Sequence, residues 1–486
     1  MSSTRSDLTR CDLLVEGGDL VDGSGGPRRR ADVAVSGAHI VAVGDLKGLD
    51  ASARIDARGL VVTPGFIDAH THDDRAVLSS PQMTPKVSQG VTTVVTGNCG
   101  VSLAPLTGVD PPPPLNLLGG REWYRYATTQ DYVDEVRARP PALNVAMLVG
   151  HSTLRAAVMD RLDRPAEERE IERMGELLDA ALEAGCIGMS TGLAYPPAAA
   201  APTDEIVALA EHLARRGAIY TTHMRDERAH VVDSVEETLE IGRRARVPVV
   251  ISHHKCSGRE NWGLTRETLA VIAEARRRQR VDLDVYPYTA SSTVLMADWV
   301  GSAERVRITW STPHPEVAGR DLADVQAEWG CSMEEAVARL QPAGAIYHQM
   351  DEADLRRVMA FEDTMIGSDG LPHDEVPHPR LWGTFPRVLG HYCREERVLD
   401  LEEAVRRMTS VPARVFGLAD RGEVREGAFA DLVLLDAERI IDRASYDAPA
   451  VPAAGIVEVM VNGQSVWRKQ APTGNRPGQL LERDSR

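Results

Sequence analysis

The sequence predicts an α/β protein built on a (β/α)8 barrel of the TIM type. Eight short apolar runs rich in β-branched residues recur through the middle of the chain, and most are followed by an amphipathic helical stretch. Such alternation indicates a parallel sheet, and eight units of this kind close into a barrel. The length of 486 residues suits one barrel together with a smaller module.

The barrel elements can be placed along the chain one by one. The predicted strands span residues 60–67, 91–96, 144–149, 187–191, 218–222, 247–251, 281–285 and 364–367. The clearest helical stretches span residues 166–184, 203–216, 233–246, 264–278 and 401–416. After strand seven, residues 289–352 form a long insertion in which we predict two or three helices. Insertions on the functional face often serve as lids, and the sequence leaves open whether this one moves.

The two chain ends share a different pattern, in which short strand-like runs are separated by turn residues. The runs at 12–15 and 39–43 have counterparts at 431–435 and 456–461. We therefore predict that residues 1–62 and 418–486 form one small β-sandwich-like module, discontinuous in sequence. The barrel domain then spans residues 63–417.

The composition argues against several classes of protein. The formal net charge is −17 and no basic stripe occurs, which argues against a nucleic-acid partner. No run of about 18 apolar residues is present, so no membrane-spanning helix is expected. The N-terminal string MSSTRSDLTR lacks the apolar core of a secretory signal. Six cysteines in a chain of this length are not a disulfide scaffold, and we expect a reduced, cytoplasmic protein.

Metal-binding and polar side chains gather at the predicted carboxyl ends of the strands, where barrel enzymes place their sites. A single histidine at a strand end is usually structural, but several together with a cysteine and an aspartate favour a metal site. In strand order they are His70, His72, Cys99, His151, His223, His253, His254, Lys255, Tyr286 and Asp369.

His70 and His72 lie two residues apart on a strand, so both side chains point to the same face. They close the string Pro-Gly-Phe-Ile-Asp-Ala-His-Thr-His at 64–72, which resembles the signature of the amidohydrolase superfamily. Many members of that superfamily bridge two metals with a carboxylated lysine on a mid-barrel strand. Predicted strands three and four contain no lysine. Cys99 can supply a thiolate instead, and thiolate with imidazole suits zinc.

Four further strings resemble the N-acyl-D-amino-acid deacylases, also called D-aminoacylases. They are Gly-Asn-Cys-Gly at 97–100, Tyr-Thr-Thr-His-Met-Arg-Asp-Glu at 220–227, Ile-Ser-His-His-Lys at 251–255 and Gly-Ser-Asp-Gly at 367–370. The resemblance runs from Asp12 to near Pro477.

The resemblance implies one tightly held zinc on Cys99, His223 and His253. It also implies a second, weaker metal position near His70 and His72. The choice of His253 over His254 follows from the family match, because alternation along the strand does not decide between them.

Further roles are likewise implied by the resemblance. Asp369 matches the family's catalytic acid–base, which takes a proton from water and passes it to the leaving nitrogen. Lys255 and Arg380 match positions that hold the substrate carboxylate, with help from Tyr286 and Ser292. The remaining matches are Tyr195 at the pocket, and Tyr347 and Met350 where the family lines its side-chain pocket.

The sequence thus predicts hydrolysis of an N-acyl-D-amino acid, with tolerance for hydrophobic side chains, by a zinc enzyme whose partner is a small molecule. One competing interpretation is a deacylase for N-acyl-D-glutamate or N-acyl-D-aspartate. A second is a cyclic amidase related to hydantoinases and dihydropyrimidinases. A third, from another class, is a non-catalytic barrel that assembles with protein partners. The oligomeric state, the acyl length and the occupancy of the second metal position stay open.

Overall fold

The structure is a computed structural model that describes residues 8–484. The first seven residues of the N-terminal string and the last two residues of the predicted C-terminal segment lie outside this range. The described residues contain two nine-stranded sheets, a three-stranded sheet and a two-stranded antiparallel sheet, Leu106–Thr107 with Arg125–Tyr126.

Eight parallel strands form the barrel, and strands adjacent in sequence are neighbours in the sheet. The first and eighth strands meet through backbone bonds, because Ala69 N donates to Ile366 O at 3.2 Å and Asp369 N donates to His70 O at 2.8 Å. The predicted barrel is confirmed. Its strands are Phe66–Asp68, Val91–Thr96, Asn144–Gly150, Gly188–Gly192, Ile219–His223, Val249–Ile251, Val281–Val285 and Met365–Ile366.

Helices surround the barrel and bury one apolar side each. In Val231–Ala245, for example, Val231, Val235 and Ile241 are buried at helical spacing. The predicted helix at 401–416 is two helices, because the backbone leaves the helical region at Thr409 (φ −133°, ψ −83°). The helices of eight residues or more around the barrel are Thr129–Ala138, His151–Val158, Glu168–Glu183, Thr203–Arg216, Val231–Ala245, Thr265–Ala275, Glu352–Ala360, Arg380–Arg387 with its continuation Val388–Glu395, and Leu401–Met408. Shorter ones are Ala76–Ser79, Thr84–Val87, Pro196–Ala199 and Ser410–Phe416.

Both chain ends contribute to the second nine-stranded sheet. The predicted first barrel strand is divided, since Val61–Pro64 pairs with Arg10–Leu20 and Leu432–Leu435 in this sheet. The change of sheet falls at Gly65, where a β-carbon would lie 2.1 Å from Thr92 Oγ1. One apolar run therefore serves two sheets. The remaining strands of this sheet are Arg29–Ser36, His39–Gly44, Asp50–Asp56, Ile456–Val461, Gln464–Arg468 and Ala471–Pro472.

The C-terminal segment leaves the second nine-stranded sheet after Ala471–Pro472. Leu480–Leu481 adds in parallel to the barrel strand Asn144–Gly150. Residues near the C-terminus thus contact the barrel, although the sequence places 418–486 in the terminal module. All six cysteines are free of disulfides. None of the helices in residues 8–484 is both long enough and apolar enough to cross a membrane.

The insertion is a small α/β unit of its own. Its antiparallel strands Ala290–Val294, Ala343–His348 and Arg305–Ser311 lie side by side in that order, and the sequence analysis missed all three. The helices are Ala297–Val300, Leu322–Trp329 and Met333–Leu340. Ile308, Val325 and Leu340 belong to a separate apolar core. The first strand faces the barrel mouth, where Ser291 and Thr293 line a cavity.

Candidate metal centre and active site

Tight turns directly after the strands hold three of the candidate residues. Cys99, His253 and Asp369 have φ values of 52°, 36° and 50°, in the left-handed region that residues with a β-carbon rarely adopt. Backbone of this kind is costly and gathers at functional sites. The three turns end strands two, six and eight at one mouth of the barrel.

The Cys99 thiol is the centre of the arrangement. Its Sγ lies 3.2 Å from His70 Nε2 and 3.4 Å from His253 Nε2. Two groups of ligand-type atoms share it, and within each group the atoms lie within 4.8 Å of one another. One group is Cys99, His223 and His253, and the second is His70, His72, Cys99 and Asp369.

The donor set fits a zinc ion. Burial alone would raise the pKa of the Cys99 thiol, but the imidazoles of His70 and His253 outweigh burial and hold the pKa well below its usual range. The thiolate is the form that binds metal. Both ring nitrogens of His223 are buried without a hydrogen-bond partner in the described chain. Buried unpaired nitrogens beside a thiolate are what a metal ion would satisfy.

The structure distinguishes the two adjacent histidines of strand six. His253 Nε2 points to Cys99, whereas His254 Nε2 lies 2.8 Å from Thr268 Oγ1, away from the site. Burial lowers the pKa of His254 to about 4, so this ring is neutral at physiological pH. The geometry therefore brings His253, and not His254, into the metal centre.

Asp369 connects the metal centre to a buried arginine. Its Oδ1 lies 3.2 Å from His72 Nε2, and its Oδ2 lies 2.8 Å from Arg380 Nη1. Burial would raise the pKa of the carboxyl group, but Arg380 and His70 outweigh burial and hold the pKa well below its usual range. Asp369 is therefore an ionised carboxylate that can accept a proton.

The two predicted carboxylate-binding cations meet at one tyrosine. The Arg380 guanidinium lies 4.5 Å from the centroid of the Tyr286 ring, and Lys255 Nζ lies 5.8 Å from the same centroid. Arg380 also donates to Ser292 O at 2.8 Å, while the Ser292 hydroxyl is buried without a partner in residues 8–484. Lys255, Tyr286 and Ser292 all line the cavity at the metal centre.

Glu227 is a site residue that the sequence analysis did not single out. Its Oε1 accepts a hydrogen bond from Lys255 Nζ at 2.6 Å and lies 3.1 Å from His253 Nδ1. Burial would lower the pKa of Lys255, but the Glu227 carboxylate outweighs burial and raises it. Glu227 stands four residues after His223 within the string at 220–227, and this position could have indicated it.

Asp284 was also missed. Its Oδ1 accepts the backbone N–H of His253 at 2.9 Å, and its Oδ2 lies 3.7 Å from His70 Nδ1. The strand Val281–Val285 alternates apolar and acidic residues, which could have placed Asp284 inside the barrel.

Tyr195 lines the cavity at the metal centre. Its ring centroid is 4.9 Å from that of His223, and its hydroxyl lies 2.9 Å from Thr293 Oγ1 of the insertion. Leu117 and Trp299 line the same side of the cavity as Tyr195.

Tyr347 and Met350 do not line this cavity. The Tyr347 hydroxyl donates to Val294 O at 3.0 Å and accepts from Met296 N at 2.7 Å, because the ring packs inside the insertion. Met350 lies in a neighbouring cavity behind Lys255, with its sulfur 3.9 Å from the Tyr286 hydroxyl. The apolar wall at the metal centre is formed instead by Leu117, Tyr195, Trp299 and Leu371.

An eight-stranded parallel barrel with overlapping cysteine–histidine groups at its mouth defines a barrel protein with a metal centre. Residues 53–467 match the sequence profile described as the amidohydrolase family. The D-aminoacylase of Alcaligenes xylosoxydans xylosoxydans is 55% identical over 480 residues, which cover 99% of both chains. The chain belongs to the amidohydrolase family.

Two solved structures of relatives overlay closely. A D-aminoacylase crystal structure, described as defining a novel subset of amidohydrolases, has a TM-score of 0.96 and 55% identity, covering 97% of this chain and all of that one. The N-acyl-D-glutamate deacylase of Bordetella bronchiseptica has a TM-score of 0.94 and 48% identity, covering 97% and 99%. That structure is a complex with zinc and a phosphonate inhibitor that mimics the tetrahedral intermediate.

Proposed function

We propose that this protein is a zinc-dependent hydrolase that cleaves N-acyl-D-amino acids to a D-amino acid and a carboxylate. The observation that carries the proposal is the placement of Asp369 between His72 and Arg380, at 3.2 and 2.8 Å. One carboxylate thus touches both the metal centre and a cation suited to a substrate carboxylate. The full-length similarity to D-aminoacylase supports the same activity.

We assign the tightly held zinc to Cys99, His223 and His253, with a weaker second position at His70 and His72. These residues would hold a zinc ion, whose chemistry there would be to polarise the acyl carbonyl and to lower the pKa of a bound water. Glu227, at 3.1 Å from His253 Nδ1, orients that imidazole from behind. Asp284 fixes the backbone of the same histidine through its N–H.

Asp369 moves the protons of the reaction. As an ionised carboxylate it accepts a proton from the attacking water, and then delivers that proton to the leaving nitrogen. The second transfer is required because an amide anion is a very poor leaving group. The turn that carries Asp369 is fixed to strand one, because Asp369 N donates to His70 O at 2.8 Å.

Lys255, Arg380 and Tyr286 bind the substrate carboxylate. Arg380 is held by Ser292 O and Asp369, and Lys255 by Glu227, so both cations are fixed before substrate arrives. Fixed donors reduce the ordering cost of binding. A carboxylate held at one end and a carbonyl held at the opposite end constrain which stereoisomer fits, and this is our explanation of D-selectivity.

The side-chain preference separates the main proposal from an acidic-substrate deacylase. Arg356 and Arg357 are near the insertion in sequence, but they pair elsewhere, with Glu352 and Glu396 and with Asp354. The apolar wall of the cavity favours hydrophobic side chains. The 48% identity to the N-acyl-D-glutamate deacylase keeps the acidic substrate as the second candidate.

A cyclic amidase and a non-catalytic assembly protein are less well supported. The barrel strands carry no lysine that could bridge two metals, and Cys99 occupies the shared position instead. A thiolate in this position distinguishes the site from the lysine-bridged centre expected of a cyclic amidase. A non-catalytic assembly protein does not require an acid–base carboxylate such as Asp369 beside a complete set of metal ligands. A cytoplasmic location remains our proposal from the sequence.

The test is turnover of matched D and L substrates. Purified protein should contain zinc and cleave N-acetyl-D-methionine faster than N-acetyl-L-methionine and N-acetyl-D-glutamate. A preference for the L isomer would defeat the stereochemical claim, and a preference for glutamate would establish the second candidate. Protein that contains no divalent metal and cleaves none of these substrates would favour the interpretation as a non-catalytic assembly protein.

A further inference from the structure

A groove lies beside the metal cavity and has no role in the function described so far. Its volume is about 720 Å³, and its walls come from the loops after strands two, three and four together with the insertion. Asp160, Arg161 and Asp163 lie along it as polar residues, and Arg161 pairs with Asp163 at 2.9 Å. Most of the surface is apolar, provided by Pro112, Pro113, Pro196, Pro197, Leu295 and Met296.

The groove lies across the barrel mouth from the carboxylate-binding cations. Lys255, Tyr286 and Arg380 follow strands six, seven and eight, whereas the groove follows strands two to four. A substrate whose carboxylate binds the cations, and whose carbonyl lies at the metal centre, directs its acyl group away from the cations. In a closed barrel that direction leads towards strands two to four.

One layer of side chains separates the cavity from the groove. Met296 lines the groove, while Leu117, Tyr195 and Trp299 line the metal cavity, and all four belong to a single apolar cluster. Met296 and Trp299 are both half-buried at the short helix Ala297–Val300 of the insertion. We expect an acetyl group to be short enough to stay on the cavity side of this layer, and a longer acyl chain that passes Met296 to meet the apolar surface of the groove.

We propose that this groove is the binding site for the acyl chain, and that the enzyme accepts N-acyl-D-amino acids with medium-length acyl chains. The inference rests on the proposed function. Each methylene that enters the groove is removed from water. Because an open groove covers only one side of the chain, we expect about half of the full burial free energy, which is roughly a twofold gain in kcat/KM per methylene. N-octanoyl-D-methionine, with six more methylenes than the acetyl compound, should then be cleaved roughly 60-fold more efficiently.

The experiment compares zinc-loaded wild-type protein with two tryptophan variants on N-acetyl-, N-butyryl- and N-octanoyl-D-methionine. Ala297→Trp fills the groove at an exposed position and should lower kcat/KM for the octanoyl substrate at least tenfold relative to the acetyl substrate. Ala273→Trp places the same side chain on the outer helix Thr265–Ala275, where alanine is also exposed, and should leave the ratio unchanged.

Each result has one meaning. The proposed acyl-chain site is wrong if the wild type cleaves the octanoyl substrate with a kcat/KM equal to or lower than that for the acetyl substrate. It is also wrong if Ala297→Trp lowers kcat/KM equally for both substrates. Octanoate, the released acid, should also inhibit acetyl cleavage more strongly than acetate does, and more weakly in Ala297→Trp. If no substrate of either length is cleaved, the proposed function itself has failed, which is a distinguishable outcome.

Discussion

Asp369 and Arg380 form a buried ion pair at the edge of the cavity, with Oδ2 of the carboxylate 2.8 Å from Nη1 of the guanidinium. The second carboxylate oxygen faces His72 of the metal centre. The proposed proton carrier and the proposed substrate anchor are therefore in contact. Changes at either residue should affect both catalysis and substrate binding, but in different proportions.

Asp369→Asn should retain zinc and lose turnover. The amide keeps the shape of the carboxylate but does not accept the proton of water, and loss of an acid–base group costs roughly 10²- to 10⁴-fold in kcat. The zinc ligands Cys99, His223 and His253 are untouched. Metal analysis and steady-state kinetics on N-acetyl-D-methionine check this prediction, and a variant with full activity would show that another group moves the proton.

Arg380→Lys should raise KM more than it lowers kcat. Lysine keeps the charge but loses the planar fork that reaches Ser292 O and a carboxylate together, and loss of one charge-assisted hydrogen bond is worth roughly 10- to 100-fold in kcat/KM. The matched control is Arg259→Lys, at an exposed arginine of the short segment Arg259–Asn261. This variant should leave both KM and kcat unchanged. A pure kcat effect would place Arg380 in proton transfer instead.

The sequence predicts the barrel because strand–helix alternation is a local pattern, whereas the ligand set Cys99, His223 and His253 comes from the family resemblance. Alternation places His70 and His72 on one face, and the carboxyl ends of parallel strands meet by topology. The division of residues 60–67 was missed because Val61–Pro64 and Phe66–Asp68 have the same composition, while the change of sheet depends on the contact between Gly65 and Thr92. The composition of the segment does not indicate such a contact.

The rest of the site depends on how the loops after the strands and the insertion fold over the barrel mouth. Tyr347 was predicted at the side-chain pocket, but its ring packs inside the insertion and Trp299 reaches the cavity instead. Glu227 gains its role only because a loop brings it against Lys255 and His253. Spacing along the chain indicates strand ends, whereas loop and insertion contacts require the folded structure.

Cys99→Ser should lose stoichiometric zinc and with it roughly 100-fold or more of the activity, because a hydroxyl is a far weaker zinc ligand than a thiolate. Cys256→Ser is the matched control, since burial raises the pKa of this thiol to about 12 and it takes no part in either ligand group. Metal content after dialysis distinguishes the two. Retention of tightly bound zinc by Cys99→Ser would contradict the shared-thiolate assignment.

Glu205→Gln should destabilise the protein in a pH-dependent way. Glu205 is buried against Arg155 and lies 3.0 Å from His151 Nε2. Burial raises its pKa, but His151 and Arg155 outweigh burial and lower the pKa to about 2. The stability from the ionised carboxylate is therefore present above about pH 4.5 and is lost as pH falls towards 2.

The Glu205 variant removes the charged partner of Arg155, which keeps its hydrogen bonds to Pro197 O and Arg164 O, and loss of a buried ionic partner typically costs up to about 3–5 kcal/mol. The melting temperatures of wild type and variant should differ most above pH 5 and converge as pH falls towards 2. Glu183→Gln removes an exposed partner of Arg216 and should cost less than about 1 kcal/mol at every pH. A difference that stays constant down to pH 2 would contradict the assignment.

Lys86→Met should impair both folding stability and the placement of Asp369. The Lys86 ammonium is almost fully buried, 2.8 Å from Asp68 Oδ2, 3.3 Å from Asp73 Oδ2 and 2.5 Å from Ser368 Oγ. Asp68 in turn accepts the Ser368 N–H at 2.7 Å. This network joins the first and eighth strands beside the metal centre. Loss of the charge leaves buried carboxylates unpaired, at a typical cost of about 3–5 kcal/mol.

A milder variant separates the two effects of Lys86. Ser368→Ala removes the hydroxyl that accepts from Lys86 Nζ at 2.5 Å and from Gly370 N at 3.3 Å, but it keeps the buried charges paired. The variant should therefore fold, while kcat falls roughly tenfold. KM should change little, because the carboxylate-binding cations are untouched. Lys47→Met, at an exposed lysine, should match the wild type in melting temperature. If Ser368→Ala keeps the wild-type kcat, the network stabilises the fold without positioning Asp369.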